Sequence, residues 1–359
     1  MKKATKKIHW GKLIFNGLII LLVAAVIFFA REDIGDVWKM LSQVNIFILL
    51  LLIPVQFFSY YSGGMIFMSY LKERGKINKI KKTEVAAISL ELNFINHVFP
   101  TGGISGVTYI VWRLRKVGIT SGQATMTQII RLACTMVAFI GLLILSLLFV
   151  SVDNQVDNWL VSMSAIVVTG VLFIILFATY LMGSESRIVS FAKWVTRLSN
   201  KLVRKITFGR KKQVLEKEKA VKFVLDFYGD FAAIKKEKKL LIKPIIWATA
   251  FVLSETLLFM VTFWALGMSV SLPVVFIAES AASVVGIAMV TPGGAGGYDA
   301  TMVMFLAAGG IAAADATSGV LMTRVVLILG TLVSGYIVYR RAMKKYGKPD
   351  FEKHNNILE

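Results

Sequence analysis

Seven ionisable side chains stand inside or beside apolar runs of this sequence: Glu91, His97, Arg131, Glu255, Glu279, Asp299 and Arg324. A charge surrounded by hydrocarbon is costly, so such residues face a cavity or one another. Arg131 and Arg324 carry the most specific chemistry, because a guanidinium presents a planar fork of donors that matches a phosphate. Glu91, Glu279 and Asp299 would balance those charges or hold a cationic group. A competing reading has the arginines pair with Glu91, Glu279, Glu255 or Asp299 and lock helices together, and the sequence leaves both open. His97 reads as a satisfied tip residue rather than a ligand. No spacing of His, Asp and Glu makes a metal site, and no cofactor is expected. The glycine-rich stretch from Thr291 lacks the Gly-Lys-Ser/Thr ending of a nucleotide loop. With no nucleophile elbow and no His-Glu-x-x-His pair either, no catalytic residue is assigned and the chain is not expected to be an enzyme.

Two breaks must position these charges. The first contains Pro100, Gly102 and Gly103, and the second Pro292, Gly293, Gly294 and Gly296. Proline and glycine interrupt a helix. Residues 84–99 would make a helix of about 24 Å, too short to cross a hydrocarbon core of about 30 Å. The stretch 84–112 begins after a basic loop and ends at Arg113, Arg115 and Lys116, so both of its ends read as cytoplasmic. The stretch 274–310 lies between two segments without basic residues. Each therefore reads as a re-entrant hairpin, entering from opposite faces with its tip in the protein interior, where broken backbone is tolerated. Pro100 is followed 31 residues on by Arg131, and Pro292 by Arg324 32 residues on. With an acid ahead of each tip, Glu91 and Glu279, the pattern predicts an inverted repeat, as transporters build their midplane sites.

The rest of the chain supplies the membrane. Hydrophobic residues make up 56% of the sequence, more than a water-facing surface accommodates. Apolar runs at 13–30, 46–70, 122–150, 159–182, 241–266 and 318–339 are long enough to span. The expected fold is thus an all-α integral membrane protein, with six full transmembrane helices plus two opposed re-entrant helical hairpins in one membrane domain over 1–359. The net charge of +20 does not indicate nucleic acid, because it is concentrated in alternate connections. Residues 1–12, the loop 71–83, the segment 183–240 and the tail 340–359 are basic, whereas 151–158, 267–273 and 311–317 contain no Lys or Arg. This bias places both termini in the cytoplasm of a multi-pass plasma-membrane protein. The N-terminal run reads as an uncleaved signal anchor. Cys134 is the lone cysteine, so no internal disulfide forms. Segment 183–240 interleaves Ile188, Phe191, Trp194, Leu198 and Leu202 with Arg187, Lys193, Arg197 and Lys201. That spacing predicts an amphipathic helix on an anionic lipid surface; a solvated basic loop is the alternative. The segment is too short for a soluble catalytic domain.

At Pro292-Gly293-Gly294-Ala295-Gly296-Gly297-Tyr298-Asp299 the chain resembles the lysylphosphatidylglycerol synthase transmembrane family, also called flippase-like membrane proteins. Asn93, Pro100, Gly102 and Gly103 match a weaker element of the same family in its first third. The resemblance covers nearly the whole chain. It departs at Asp299, where the family usually has Glu, and after Gly103, where many relatives carry an acid and an arginine. The family's best-known members, the multiple peptide resistance factors, move aminoacylated phosphatidylglycerol between leaflets and confer antibiotic resistance. A separate synthase domain in those proteins attaches the amino acid, and the resemblance does not extend to it. What the resemblance implies is a lipid flippase. Its partner would be a membrane phospholipid, glycolipid or isoprenoid lipid, with a homo-oligomer or a separate lipid-modifying enzyme as further partners. The rival expectations are a membrane lipid transferase resembling phosphatidylglycerol lysyltransferase, and a non-catalytic subunit that presents lipid.

Overall fold

The computed structural model describes residues 44–75, 81–98, 104–151, 158–206, 238–288 and 296–347, with isolated positions between 207 and 237. The apolar run at 13–30 and most of both Pro-Gly tips lie outside the described residues. Among the described residues the chain is all-helical. After a single turn at Ile46–Leu49 come α1 (Leu52–Glu73), α2 (Lys82–Val98), α3 (Ile104–Arg115), α4 (Ser121–Ser151), α5 (Asn158–Met182) and α6 (Glu185–Ile206). Then follow α7 (Ile242–Ala265), α8 (Leu272–Ala288), α9 (Gly297–Ala308) and α10 (Ala313–Tyr346).

Proline placement explains much of this division. Pro54, Pro244 and Pro273 fall in the first turn of α1, α7 and α8, where the missing N–H has no intrahelical partner to lose. Pro100 and Pro292 instead fall between α2 and α3 and between α8 and α9. Ile46–Glu73, Ser121–Ser151, Lys239–Ala265 and Ala313–Tyr346 are long and apolar enough to cross a membrane. Their outward faces keep large apolar side chains such as Phe47, Phe57 and Phe149 exposed, as hydrocarbon requires.

The described helices fall into two quartets with matching lengths. Helices α1 to α4 have 22, 17, 12 and 31 residues, and α7 to α10 have 24, 17, 12 and 34. The first helices of the quartets, α1 and α7, pack along their length and run antiparallel. At one end the Asn45 N–H donates to the Ala265 carbonyl at 2.8 Å, and at the other Lys243 pairs with Glu73. The quartets exchange support: α2 lies on α10, and α8 lies on α4. Within each, the two short helices pair, α2 with α3 and α8 with α9. At 17 and 12 residues, each arm of these pairs is about 25 Å or less, short of a full crossing.

Helix α6 is amphipathic as expected and docks back onto α5. The Phe177 and Phe191 rings meet edge to face at 5.8 Å, and the Arg187 guanidinium lies 4.2 Å from the Tyr180 ring while donating to the Tyr180 carbonyl at 2.7 Å. Trp194 and Leu198 remain exposed on it.

Candidate functional site: a polar layer between the two quartets

Four long helices bring polar groups to one level of an otherwise apolar core. Arg131 is the eleventh residue of α4 and Arg324 the twelfth of α10, so each sits about 15 to 17 Å from its helix start, well inside a helix of membrane-spanning length. On α7, Glu255 accepts a short hydrogen bond from the Ser59 hydroxyl of α1. Its neighbour Thr256 donates to Glu279 Oε2 of α8 at 2.6 Å. Consecutive residues of α7 thus hold both carboxylates, which also act on each other electrostatically. Arg131 balances Glu255 through the same field. Among the described residues Arg131 makes no direct hydrogen bond or ion pair, and it is only partly buried. Along α1 the layer continues: Gln56 Nε2 donates to the Tyr60 hydroxyl at 2.7 Å, and Tyr60 lies 2.6 Å from Thr331 Oγ1 of α10. Thr331 spends its own proton on the Leu327 carbonyl, so Tyr60 is the donor.

Arg324 is held more firmly. Its guanidinium lies 3.4 Å from Asp299 Oδ1 and 4.5 Å from the Tyr298 ring centre, both on α9. Asp299 also reaches back to the start of its own helix, accepting the Gly296 N–H through Oδ2 at 3.0 Å. Gly296 adopts φ +87°, a conformation any side chain would strain. The Gly296 backbone donor at this helix start is therefore spent on Asp299. His97 ends α2 nearby, its Nδ1–H donating to the Asn93 carbonyl at 2.8 Å, and it feels the Arg324 charge.

Glu91 is placed elsewhere. It accepts from the Tyr109 hydroxyl at 2.9 Å and from Arg113 Nε at 3.1 Å, inside the α2–α3 pair. Arg113 also reaches Glu84 at 3.1 Å and lies over the Tyr346 ring at 4.2 Å, while the Tyr346 hydroxyl donates to Glu84. The charge partner of Glu91 is thus Arg113, not Arg131 or Arg324. Of the expected site residues, the structure gathers Arg131, Glu279, Asp299, Arg324 and Gly296 around the layer. Pro100, Gly102, Gly103, Pro292, Gly293 and Gly294 lie outside the described residues. Sequence reading missed Ser59, Thr256 and Tyr298 as members of the layer. The available signal was adjacency, since Thr256 follows Glu255 and Tyr298 precedes Asp299.

Among the described residues no group of three His, Cys, Asp or Glu side chains is placed to hold a metal ion. The arrangement is suited to receiving a charged head group within a helical bundle: a partly buried guanidinium, two carboxylates and several hydroxyls between apolar walls. A search of curated proteins returned no match. Residues 14–335 match the profile of the lysylphosphatidylglycerol synthase TM region. Reaching from the first apolar run, ahead of α1, well into α10, that match takes in both quartets and the polar layer between them, and the chain belongs to this family of lipid-related membrane proteins.

Proposed function

We propose that the chain is a lipid translocase that passes a phosphate-bearing head group between leaflets through the polar layer, its acyl tails remaining in the surrounding lipid. The observation that carries this reading is Arg131: a guanidinium well inside a helix of membrane-spanning length, partly buried, with no direct partner among the described residues. A phosphate would supply the bidentate partner that the fold withholds. Glu255 keeps the site near neutral when empty, and Glu279 offers a balancing negative group. Arg324, paired with Asp299, holds the start of α9 rather than reaching for the lipid at first encounter.

On this reading the α2–α3 and α8–α9 pairs are re-entrant hairpins of an inverted repeat, entered from opposite faces of the plasma membrane with both termini cytoplasmic. Matched helix lengths and the antiparallel α1–α7 pairing support the inversion. The basic, amphipathic α6 lies on the anionic inner leaflet. Its lipid is a phospholipid, glycolipid or isoprenoid phosphate; transport is driven by an ion or substrate gradient and is shared with a second copy or a lipid-modifying enzyme.

The test is leaflet exchange in proteoliposomes carrying fluorescent phosphatidylglycerol. Arg131→Ala should lower the exchange rate at least tenfold while insertion and helix content stay unchanged, and Arg131→Lys should recover part, since an ammonium lacks the planar fork. Wild-type exchange rates in Arg131→Ala would remove Arg131 from the mechanism and the reading with it.

A further inference from the structure

The last described helix is longer than a membrane needs. At 34 residues α10 extends about 51 Å, against a hydrocarbon core of about 30 Å, so at least one of its ends stands in the interfacial layer or beyond it. The charges mark which end. The stretch from Val325 to Tyr339 carries none, and Arg340, Arg341, Lys344 and Lys345 follow at once.

A cavity of about 280 Å³ opens in the side of this end, lined by Tyr336, Ile337, Arg340, Arg341 and Lys344. Helix α2 covers a neighbouring face. A Cβ on Gly335 would stand 2.6 Å from Phe94 Cβ, and the Tyr336 ring leans on the Phe94 ring at 6.2 Å between centres. Lys345 turns away from the cavity residues and lies over the Tyr346 ring at 4.8 Å. Arg340, Arg341 and Lys344 differ from it. All three are exposed, and among the described residues they make no hydrogen bond, ion pair or ring contact. Three cations around one cavity repel one another and favour an anion between them. On the same side of the helix the stripe continues inward as Ile337 and Val333, 47% and 65% exposed. Cations at the mouth and an aliphatic stripe beneath match the two parts of one molecule, an anionic head group and its acyl chain.

We propose that this cavity docks the phosphate of an anionic phospholipid from the surrounding leaflet, with an acyl chain lying along Ile337 and Val333. The two guanidinium groups supply forked N–H donors for phosphate oxygens, and Lys344 adds a point charge. A choline head would bring a fourth cation to the same place, so the site favours lipids of net negative charge. It is separate from the polar layer, because Arg340 lies sixteen residues beyond Arg324, about 24 Å along the helix. The inference does not rest on the translocation reading. The lipid held here is a resident ligand of α10, and it steadies the helix whose Tyr346 hydroxyl reaches Glu84 of α2.

Native mass spectrometry of the full-length protein in detergent tests this, with equimolar phosphatidylglycerol and phosphatidylcholine as competing probes. The wild type should retain phosphatidylglycerol over phosphatidylcholine by about fivefold or more, the worth of a single basic side chain beside an anionic lipid. Arg340→Gln with Arg341→Gln and Lys344→Gln should erase that preference and weaken phosphatidylglycerol retention roughly tenfold or more. Unfolding without added lipid should not change, since all three side chains are exposed. Lys193→Gln with Arg197→Gln and Lys201→Gln removes the same charge from α6 and should keep the preference, as should Arg131→Ala and an excess of inorganic phosphate. Equal retention of the two lipids by the wild type overturns the site, and so does a preference that survives in the α10 variant. Equal loss in the α6 and α10 variants would mean diffuse attraction alone. Displacement by inorganic phosphate would make the cavity a site for a soluble anion. Loss of the preference in Arg131→Ala would assign the retained lipid to the polar layer, which removes this site and supports the translocation reading.

Discussion

The two short helix pairs have the same arm lengths and opposite chemistry. In the α2–α3 pair the arms are tied by buried charge: Arg113, 2% exposed, joins Glu91 and Glu84, and Tyr109 and Tyr346 complete the set. In the α8–α9 pair the contact is apolar and close. A Cβ on Gly309 would stand 2.2 Å from Val274 Cγ1, and Phe305 meets Trp159 of α5 at 5.4 Å between ring centres. Its two charges face other helices instead: Glu279 accepts from Thr256 of α7, and Asp299 with Tyr298 at the start of α9 holds Arg324 of α10. The difference teaches that a shared backbone plan does not imply shared function. Buried ion networks lock one geometry and tolerate little change, whereas a glycine-smoothed apolar seam keeps its shape by packing alone and leaves its polar groups for the interior.

The largest effect should come from cutting the first network. Arg113→Met leaves Glu91 buried with only Tyr109 as a donor, and removing one partner of a buried pair typically costs about 3–5 kcal/mol. Thermal unfolding in detergent should move down markedly, and a transition within a degree or two of wild type would show that charge does not hold this pair. The second pair should break through size instead. Gly309→Ala forces its methyl against Val274, at about 1–3 kcal/mol for overpacking. Val274→Ala in the same chain should restore much of that loss, and an uncompensated double variant would put the close approach elsewhere. The smallest effect sharpens the contrast inside the first network. Tyr339 carries a buried hydroxyl without a partner among the described residues, so Tyr339→Phe should stay within about 0.5 kcal/mol of wild type. Tyr109→Phe, which removes a donor to a charged acceptor, should cost about 1.5–3 kcal/mol. Equal costs for the two tyrosines would contradict the assignment of Tyr109 as the donor to Glu91.

Much of this was legible in the sequence because membrane helices announce themselves by length. Residues 84–112 and 274–310 were expected to break at their Pro-Gly tips, and α2–α3 and α8–α9 fall within three residues of those bounds. The pairing of charges was less legible. Arg113 read as one of three basic residues closing a cytoplasmic loop, since charge counting treats every arginine alike, yet its side chain turns inward to Glu91. Glu91 and Glu279 match in sequence, each ahead of its tip, but one meets an arginine and the other a threonine hydroxyl. Partner choice depends on which helix faces which, and periodicity within one helix carries no information about that.

The exchanged support between quartets has a consequence for the order in which the chain is made. Helix α8 emerges from the ribosome after α4, so the second pair finds its long supporting helix already in place. Helix α2 has no such advantage. Its support, α10, is the last helix described, and the Tyr346 hydroxyl that reaches Glu84 lies 262 positions further along the chain. The first pair therefore gains its α10 neighbours, from Leu332 to the Tyr346 donor of Glu84, only when the last described helix has been made.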